Sequence, residues 1–151
     1  MKQIFMLLFL FICAEAQTVT LQIIETSDIH GQVFPYDFIN DKPSQSSLAQ
    51  ISTYVKLERA KQNQHVILLD NGDVLQGQPV VYYYNFEQPD TTHILASIMN
   101  YMNYDAATIG NHDIEAGHPV YDKLVEDLTF RGSPLMQWMK KRMSRISSPI
   151  K

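Results

Sequence analysis

The chain has 151 residues, which is enough for one ordinary domain with a hydrophobic core. Its formal charge of −4 argues against a protein that binds a nucleic-acid polymer, because such proteins usually present a basic surface. Hydrophobic residues make up 45% of the sequence, a share that is typical of a globular protein rather than a disordered one. We therefore expect a folded domain whose ligand is not a nucleic-acid polymer.

The first 16 residues have the layout of a secretory signal peptide. Lys2 supplies a positive charge, an apolar run extends from Ile4 to Ala14, and Ala14-Glu15-Ala16 forms a small-x-small cleavage site. The apolar run is too short to span a bilayer comfortably. We predict cleavage after Ala16, export to the periplasm or the extracellular space, and no stable membrane insertion of the mature protein. A buried N-terminal strand or helix is the alternative interpretation.

Strand and helix patterns alternate along the rest of the chain. The segments "VTLQIIET", "HVILLD" and "DAATIG" are rich in apolar and β-branched residues and predict three strands. Apolar stripes at helical spacing predict helices over Ser47 to Lys61, Thr92 to Met102 and His118 to Leu128. A helix thus follows each strand, and this order predicts an α/β fold with a largely parallel sheet.

Each predicted strand ends in a cluster of polar residues. The clusters are Asp28-Ile29-His30-Gly31, Asn71-Gly72-Asp73 and Gly110-Asn111-His112-Asp113. In open α/β sheets, ligands bind beyond the carboxyl ends of the parallel strands. We therefore expect the three clusters to converge at one edge of the sheet and to form a common site there.

The side chains of these clusters suit divalent metal ions. Residues two apart in extended backbone point the same way, so Asp28 and His30 are expected to bind one ion together. Asp73 has two carboxylate oxygens with which to bridge two ions, and Asn111 offers a neutral oxygen ligand. Carboxylate, imidazole and amide ligands without a thiolate suit Mn²⁺, Zn²⁺, Fe or Mg²⁺, and this ligand set does not separate them.

His112 and Glu115 are candidates for acid–base chemistry. His112 follows the predicted ligand Asn111 directly, within reach of a phosphate oxygen or a leaving group. Glu115 lies three residues later, at a predicted helix start, where its carboxylate is expected to accept the other ring N–H of His112. This arrangement is typical of an imidazole held for proton transfer. Asp113 is expected to cap the helix rather than to bind metal.

These motifs resemble the first three motifs of the calcineurin-like metallophosphoesterases. The segments "ETSDIHGQVFP", "NGDVLQGQP" and "TIGNHDIEAG" are most similar to the branch with secreted 5′-nucleotidases and 2′,3′-cyclic-nucleotide phosphodiesterases. The resemblance extends from about Thr20 to Asp127. It implies an α/β fold that is the N-terminal part of a metallophosphoesterase α/β/β/α sandwich, incomplete in this chain. It also implies hydrolysis of phosphate esters, chiefly nucleotides, with two divalent metal ions as cofactors.

The resemblance implies a metal-binding role for four residues. Asp28 and His30 match ligands of the first metal, Asp73 matches the bridging ligand, and Asn111 matches a ligand of the second metal. In enzymes of this kind, two metal ions bind the phosphate and activate a water molecule for in-line attack.

The resemblance also implies roles for His112, Glu115 and an aromatic cluster. His112 matches the histidine that stabilises the transition state or protonates the leaving alcohol, and Glu115 takes the place of its acidic partner. The cluster of Tyr82 to Tyr84 and Phe86 is expected to pack in the core or in a lid, because the family places base stacking in a further domain.

The composition changes abruptly after Leu128. All 16 acidic residues lie at or before Asp127, whereas residues 129–151 contain six basic residues and no acidic one. We therefore predict a signal peptide (1–16), a partial metallophosphoesterase domain (17–128) and a basic tail (129–151) that does not match the family and derives from a truncation or a frameshift. Two alternatives are a catalytically dead remnant and a small binding module whose basic tail contacts a membrane or a partner.

Overall fold

Three parallel strands form the centre of the computed structural model, which describes residues 18–129. In chain order the elements are β1 (Thr20–Thr26), β2 (Tyr36–Asp37), β3 (Lys42–Pro43), α1 (Leu48–Arg59), β4 (Gln64–Asp70), α2 (Pro79–Tyr82), a π-helical segment (Tyr83–Glu87), α3 (Ile94–Met102), β5 (Ala106–Ala107), α4 (Asn111–Glu115) and α5 (His118–Asp127). The predicted signal peptide lies outside the described residues, and so does the predicted basic tail apart from Thr129.

The strands pair in the order β1-β4-β5, and both pairs are parallel. The register places Thr26 beside Asp70 and Asp70 beside Ala107. The three strands therefore end at one edge, which we call the carboxyl edge, and the loops that follow them start side by side. The predicted α/β fold with a parallel sheet is confirmed, although the third strand is shorter than predicted.

Capping residues mark the ends of helices α1 and α3. The Ser47 hydroxyl accepts the N–H of Gln50 and caps the start of α1, and the His93 ring accepts the N–H of Leu95 at the start of α3. Helix α3 ends at Met102, and the next residue, Asn103, adopts the left-handed conformation common at helix ends. The three predicted helices are confirmed, with boundaries shifted by up to two residues.

The two faces of the sheet differ in burial, because successive side chains of a strand point to opposite faces. On one face, Ile24 packs against the core and Leu68 is completely buried beneath the helices. On the other face, Leu21 and Ile23 of β1 are each 59% exposed. We call this second side the open face of the sheet.

The segment after β4 departs from the expectation of core packing. It folds into helix α2 and the π-helical segment, where Tyr82, Tyr83 and Phe86 are each about half exposed. Core packing is therefore wrong for these three residues, whereas Tyr84 is half-buried beside His93, and packing in a lid stays a prediction. Among residues 18–129, no helix combines the length and apolar character needed to cross a bilayer.

Candidate functional site

Three of the predicted metal ligands adopt left-handed backbone. The φ angles are 54° at Asp28, 47° at His30 and 60° at Asp73. The expectation that Asp28 and His30 point the same way because they lie in extended backbone is therefore wrong. A tight turn brings them together instead, with His30 Nε2 lying 3.8 Å from Asp28 Oδ1. Non-glycine residues hold this conformation only where their surroundings fix it, and such residues cluster at functional sites.

The His30 ring is oriented by a neighbouring loop. Its Nδ1 lies 3.2 Å from the backbone oxygen of Gln76, and because a carbonyl can only accept, Nδ1 carries the proton. Nε2 is the ring nitrogen that faces Asp28. A histidine that binds metal usually donates its other N–H to a carbonyl or carboxylate in this way. This geometry fits His30 and Asp28 as two ligands of one ion.

The loops after β4 and β5 are in direct backbone contact. A Cβ added to Gly72 would lie 2.9 Å from Gly110 Cα, and one added to Gly110 would lie 2.6 Å from Asp73 N and overlap Asp73 Oδ1. Only glycine therefore permits this approach, which brings the Asn71-Gly72-Asp73 and Gly110-Asn111-His112 clusters together.

Asp113 joins the same two loops through its carboxylate, which is completely buried. Oδ1 accepts the N–H groups of Val74 and Leu75 at 2.8 and 2.7 Å, and Oδ2 accepts those of Asp73 and Gly110 at 2.8 and 2.9 Å. The contact with Gly110, the residue that precedes α4, is the helix cap that the sequence indicates. The other three contacts reach a loop about 40 residues earlier.

His112 lies between the metal-binding candidates and a carboxylate. Its backbone N–H donates to Asp73 Oδ1 at 2.8 Å, and its Nδ1 lies 3.0 Å from Glu115 Oε2. The hydrogen bond to Glu115 raises the pKa of the His112 ring, and the charges of Asp73 and Asp28 act in the same direction. The Gln76 amide also donates to Glu115 Oε2, at 3.2 Å.

The donor chemistry of the carboxyl edge suits divalent metal, but the ligand set is incomplete. Over the described range, no three His, Cys, Asp or Glu side chains are placed to hold a metal ion. The rings of His30 and His112 have their centroids 5.4 Å apart, and Asn111 begins the helix that carries His112. The described residues thus place the Asp28 carboxylate beside the His30 ring, and the Asp73 carboxylate against the backbone of His112.

Asp70 is a buried group that the sequence pattern did not single out. It accepts hydrogen bonds from the Thr26 hydroxyl at 2.7 Å and from Gly72 N–H at 3.0 Å. Burial raises the pKa of Asp70 to about 6. Its position at the end of β4 was the available signal, but burial of the strand end by helices becomes visible only in the folded protein.

No family model matches the chain. It is 34% identical over 122 residues to the trifunctional nucleotide phosphoesterase protein YfkN of Bacillus subtilis, a match that covers 76% of this chain and 8% of that protein. It is 33% identical over 107 residues to a 2′,3′-cyclic-nucleotide 2′-phosphodiesterase/3′-nucleotidase of Yersinia enterocolitica, covering 69% of this chain and 16% of that relative. The chain thus spans less than a fifth of the length of these two relatives.

The fold agrees with these matches. The crystal structure of the calcineurin-like phosphoesterase YfkN from Bacillus subtilis superposes with a TM-score of 0.65 at 34% identity, covering 74% of this chain and 35% of that one. The carboxylate and imidazole groups at the carboxyl edge of the parallel sheet agree with this likeness. The chain belongs to the calcineurin-like phosphoesterases, of which it represents a part.

Proposed function

We propose that this chain carries the metal-binding edge of a metal-dependent phosphoesterase that hydrolyses nucleotides or related phosphate esters by a two-metal mechanism. The observation that carries the proposal is the hydrogen-bonded pair of His112 and Glu115, which lies beside Asp73 and against the ring of His30. The names of the two relatives, a nucleotide phosphoesterase and a cyclic-nucleotide phosphodiesterase/3′-nucleotidase, support the substrate class.

Four residues are proposed to hold the metal ions. Asp28 and His30 would bind the first ion, Asp73 would bridge the two, and Asn111 would bind the second. Mn²⁺, Zn²⁺, Fe and Mg²⁺ all accept oxygen and imidazole ligands of this kind. When bound, two such ions clamp the phosphate and lower the pKa of a bound water molecule.

His112 is proposed to move the proton of the leaving group. Because Nδ1 is held by Glu115, Nε2 is the ring nitrogen that remains for a substrate oxygen. The raised pKa favours the imidazolium form, which is the form that can donate a proton to a leaving alkoxide. Glu115 thus orients the ring and stabilises its charge, and Gln76 holds Glu115 in place.

Hydrolysis of bis-p-nitrophenyl phosphate and of AMP in the presence of Mn²⁺ or Zn²⁺ tests this proposal. We expect metal-dependent product release that His112→Ala lowers by about 10²- to 10⁴-fold, the usual contribution of a general acid. His65→Ala is the matched control, because His65 is an exposed residue of β4 away from the carboxyl edge.

Two results would contradict the proposal. One is the absence of metal-dependent hydrolysis in the wild-type protein, which together with weak Mn²⁺ binding would favour a catalytically dead remnant. The other is equal activity of wild-type protein and His112→Ala. Binding to anionic liposomes that is lost on removal of residues 129–151 would instead favour a binding module with a basic tail.

We also propose that the protein is exported, since its first 16 residues have the layout of a signal peptide. Mass spectrometry of protein from the native host should then show a mature chain that starts at Gln17. Intact Met1 in a cytosolic fraction would contradict export.

A further inference from the structure

The carboxylate of Asp113 has more partners than a helix cap requires. A cap residue of this kind accepts one N–H group at the start of its own helix, and for α4 that group belongs to Gly110. Asp113 accepts three further N–H groups, all from the loop after β4. Its side chain is 0% exposed, so these four donors replace water completely. Capping of α4 therefore accounts for only one of its four hydrogen bonds.

The three consecutive donors set the shape of the loop that carries Asp73. The N–H groups of Asp73, Val74 and Leu75 all point to one carboxylate, and Asp73 itself is left-handed with φ 60°. A short run of N–H groups around one anion forms a concave backbone arrangement in which left-handed residues recur. Hydrogen bonds to a charged acceptor are about twice as strong as neutral ones. The buried charge thus offsets the conformational cost of this turn.

The two loops hold each other reciprocally. Asp113, in helix α4, accepts the N–H of Asp73, and Asp73 Oδ1 accepts the N–H of His112 in the same helix. A displacement of Asp113 would therefore move both the backbone of Asp73 and the start of the helix that carries His112. Asp113 is buried and Asp73 and His112 are half-buried, so both hydrogen bonds are at least partly shielded from solvent.

We propose that Asp113 is a positioning residue, which fixes Asp73 for metal binding and His112 for proton transfer without touching metal or substrate. The effects on metal binding and proton transfer rest on the proposed function. The effect of Asp113 on the backbone around Asp73 and Gly110 can be measured in metal-free protein. A merely structural role would affect the stability of the whole domain. A positioning role affects the two loops and the metal affinity selectively.

Asp113→Asn tests this role because the amide NH₂ cannot accept a hydrogen bond. Whichever way the amide is oriented, two of the four N–H groups lose their acceptor. We expect faster hydrogen exchange at the amides of Asp73, Val74, Leu75 or Gly110 in the metal-free protein. We also expect Mn²⁺ affinity, measured by titration calorimetry, to fall about 10- to 100-fold, as for other residues that support metal ligands.

Val55→Ala is the control for a general loss of stability. Val55 is 1% exposed and lies in α1, outside both loops. We expect this variant to raise hydrogen exchange across the chain without selectivity and to leave the Mn²⁺ affinity of the folded protein unchanged. The proposal is overturned if Asp113→Asn matches wild type, or if it matches Val55→Ala in both measurements.

The experiment remains decisive if the wild-type protein binds no Mn²⁺ and if the variant does not fold. If the wild-type protein binds no Mn²⁺, the proposed metal-dependent function fails. Hydrogen exchange that is faster in Asp113→Asn only at the amides of Asp73, Val74, Leu75 or Gly110 would still support the positioning of Asp73, and unchanged exchange would overturn it. If Asp113→Asn does not fold, a long-range HNCO spectrum of the wild-type protein decides. Through-hydrogen-bond correlations from the four amides to Asp113 Cγ would support the proposal, and their absence would overturn it.

Discussion

The carboxyl edge and the open face belong to the same sheet, yet they differ in burial. Polar groups at the edge are hydrogen-bonded within the protein, whereas apolar side chains on the open face are exposed to solvent. At the edge, Asp113 is completely buried and its oxygens accept four N–H groups, and Asp73 is held from both sides. On the open face, Leu21 and Ile23 are each 59% exposed although both are apolar. Contacts within the described residues are thus sufficient to order the site, whereas they leave part of the sheet exposed to solvent.

Gly110→Ala should disrupt the contact between the loops after β4 and β5 and produce the largest loss of stability. The new Cβ would overlap Asp73 Oδ1 and lie 2.6 Å from Asp73 N, and because backbone cannot swing aside, the loop must move. We expect the free energy of unfolding to fall by about 3 kcal/mol, at the upper end for overpacking. Urea unfolding measures this change.

Gly117→Ala is the matched control for this variant. Its Cβ would meet no atom nearer than 3.8 Å, so only the positive φ of 89° opposes alanine. We expect a loss of about 2 kcal/mol, because φ 89° with ψ 157° lies in a region that is almost restricted to glycine. Equal losses in the two variants would show that the contact between the loops is not tight.

Asp70→Asn should change how stability depends on pH. Burial raises the pKa of Asp70 from its usual 3.8 to about 6, so between these values the folded protein binds a proton that the unfolded chain does not. Acidification from pH 6 to 4 therefore stabilises the wild type relative to the variant, by up to about 1.4 kcal/mol per pH unit. Urea unfolding of both proteins across this range measures the difference.

The buried His93 acts in the opposite direction and must be considered in the same titration. Burial lowers the pKa of His93 from 6.5 to about 4, so in this range the unfolded chain binds the proton and acidification destabilises the fold. We therefore expect a shallow profile for the wild type and a steep loss on acidification for Asp70→Asn. Parallel profiles of the two proteins would contradict the raised pKa of Asp70.

Glu115→Gln should lower the pKa of His112 at the carboxyl edge. The hydrogen bond from His112 to Glu115 is the main cause of the raised pKa of His112, so removal of the charge should lower that pKa. An NMR titration of the imidazole protons in metal-free protein measures the shift. Glu126→Gln, an exposed position in α5, should leave the pKa of His112 unchanged. An unchanged titration of His112 in Glu115→Gln would mean that the pair is not formed in solution.

Ile23→Thr on the open face should have the smallest effect on folding. Because Ile23 is largely exposed, we expect the free energy of unfolding to stay within about 0.5 kcal/mol of wild type. Aggregation measured by light scattering should decrease, since an exposed apolar strand favours association. The neighbouring Ile24 packs against the core, so Ile24→Thr should be clearly destabilising. Similar stabilities of the two variants would contradict the assignment of the faces.

The sequence by itself determined the order of the elements and the place of the motifs. Runs of β-branched residues and apolar stripes of helical period are local properties, so the strands ending at Thr26 and Asp70 and the helix after Ser47 were predictable. The rule that ligands bind beyond the ends of parallel strands then placed Asp28, Asp73 and His112 at one edge. Periodicity suffices to predict the strands and helices, because each depends on neighbours within a few residues.

Only the tertiary structure decided how those residues are held. The left-handed backbone of Asp28 and His30, the burial of Asp70 and the exposure of Tyr82 have no local signature in the sequence. The sequence predicted only a helix cap at Asp113, because its other three hydrogen-bond partners lie about 40 residues away in the chain. Burial and hydrogen bonding between distant segments arise when the strands pair and the helices cover them. The chain pattern therefore specifies which groups reach the edge, and the packed fold specifies their orientation, partners and charge.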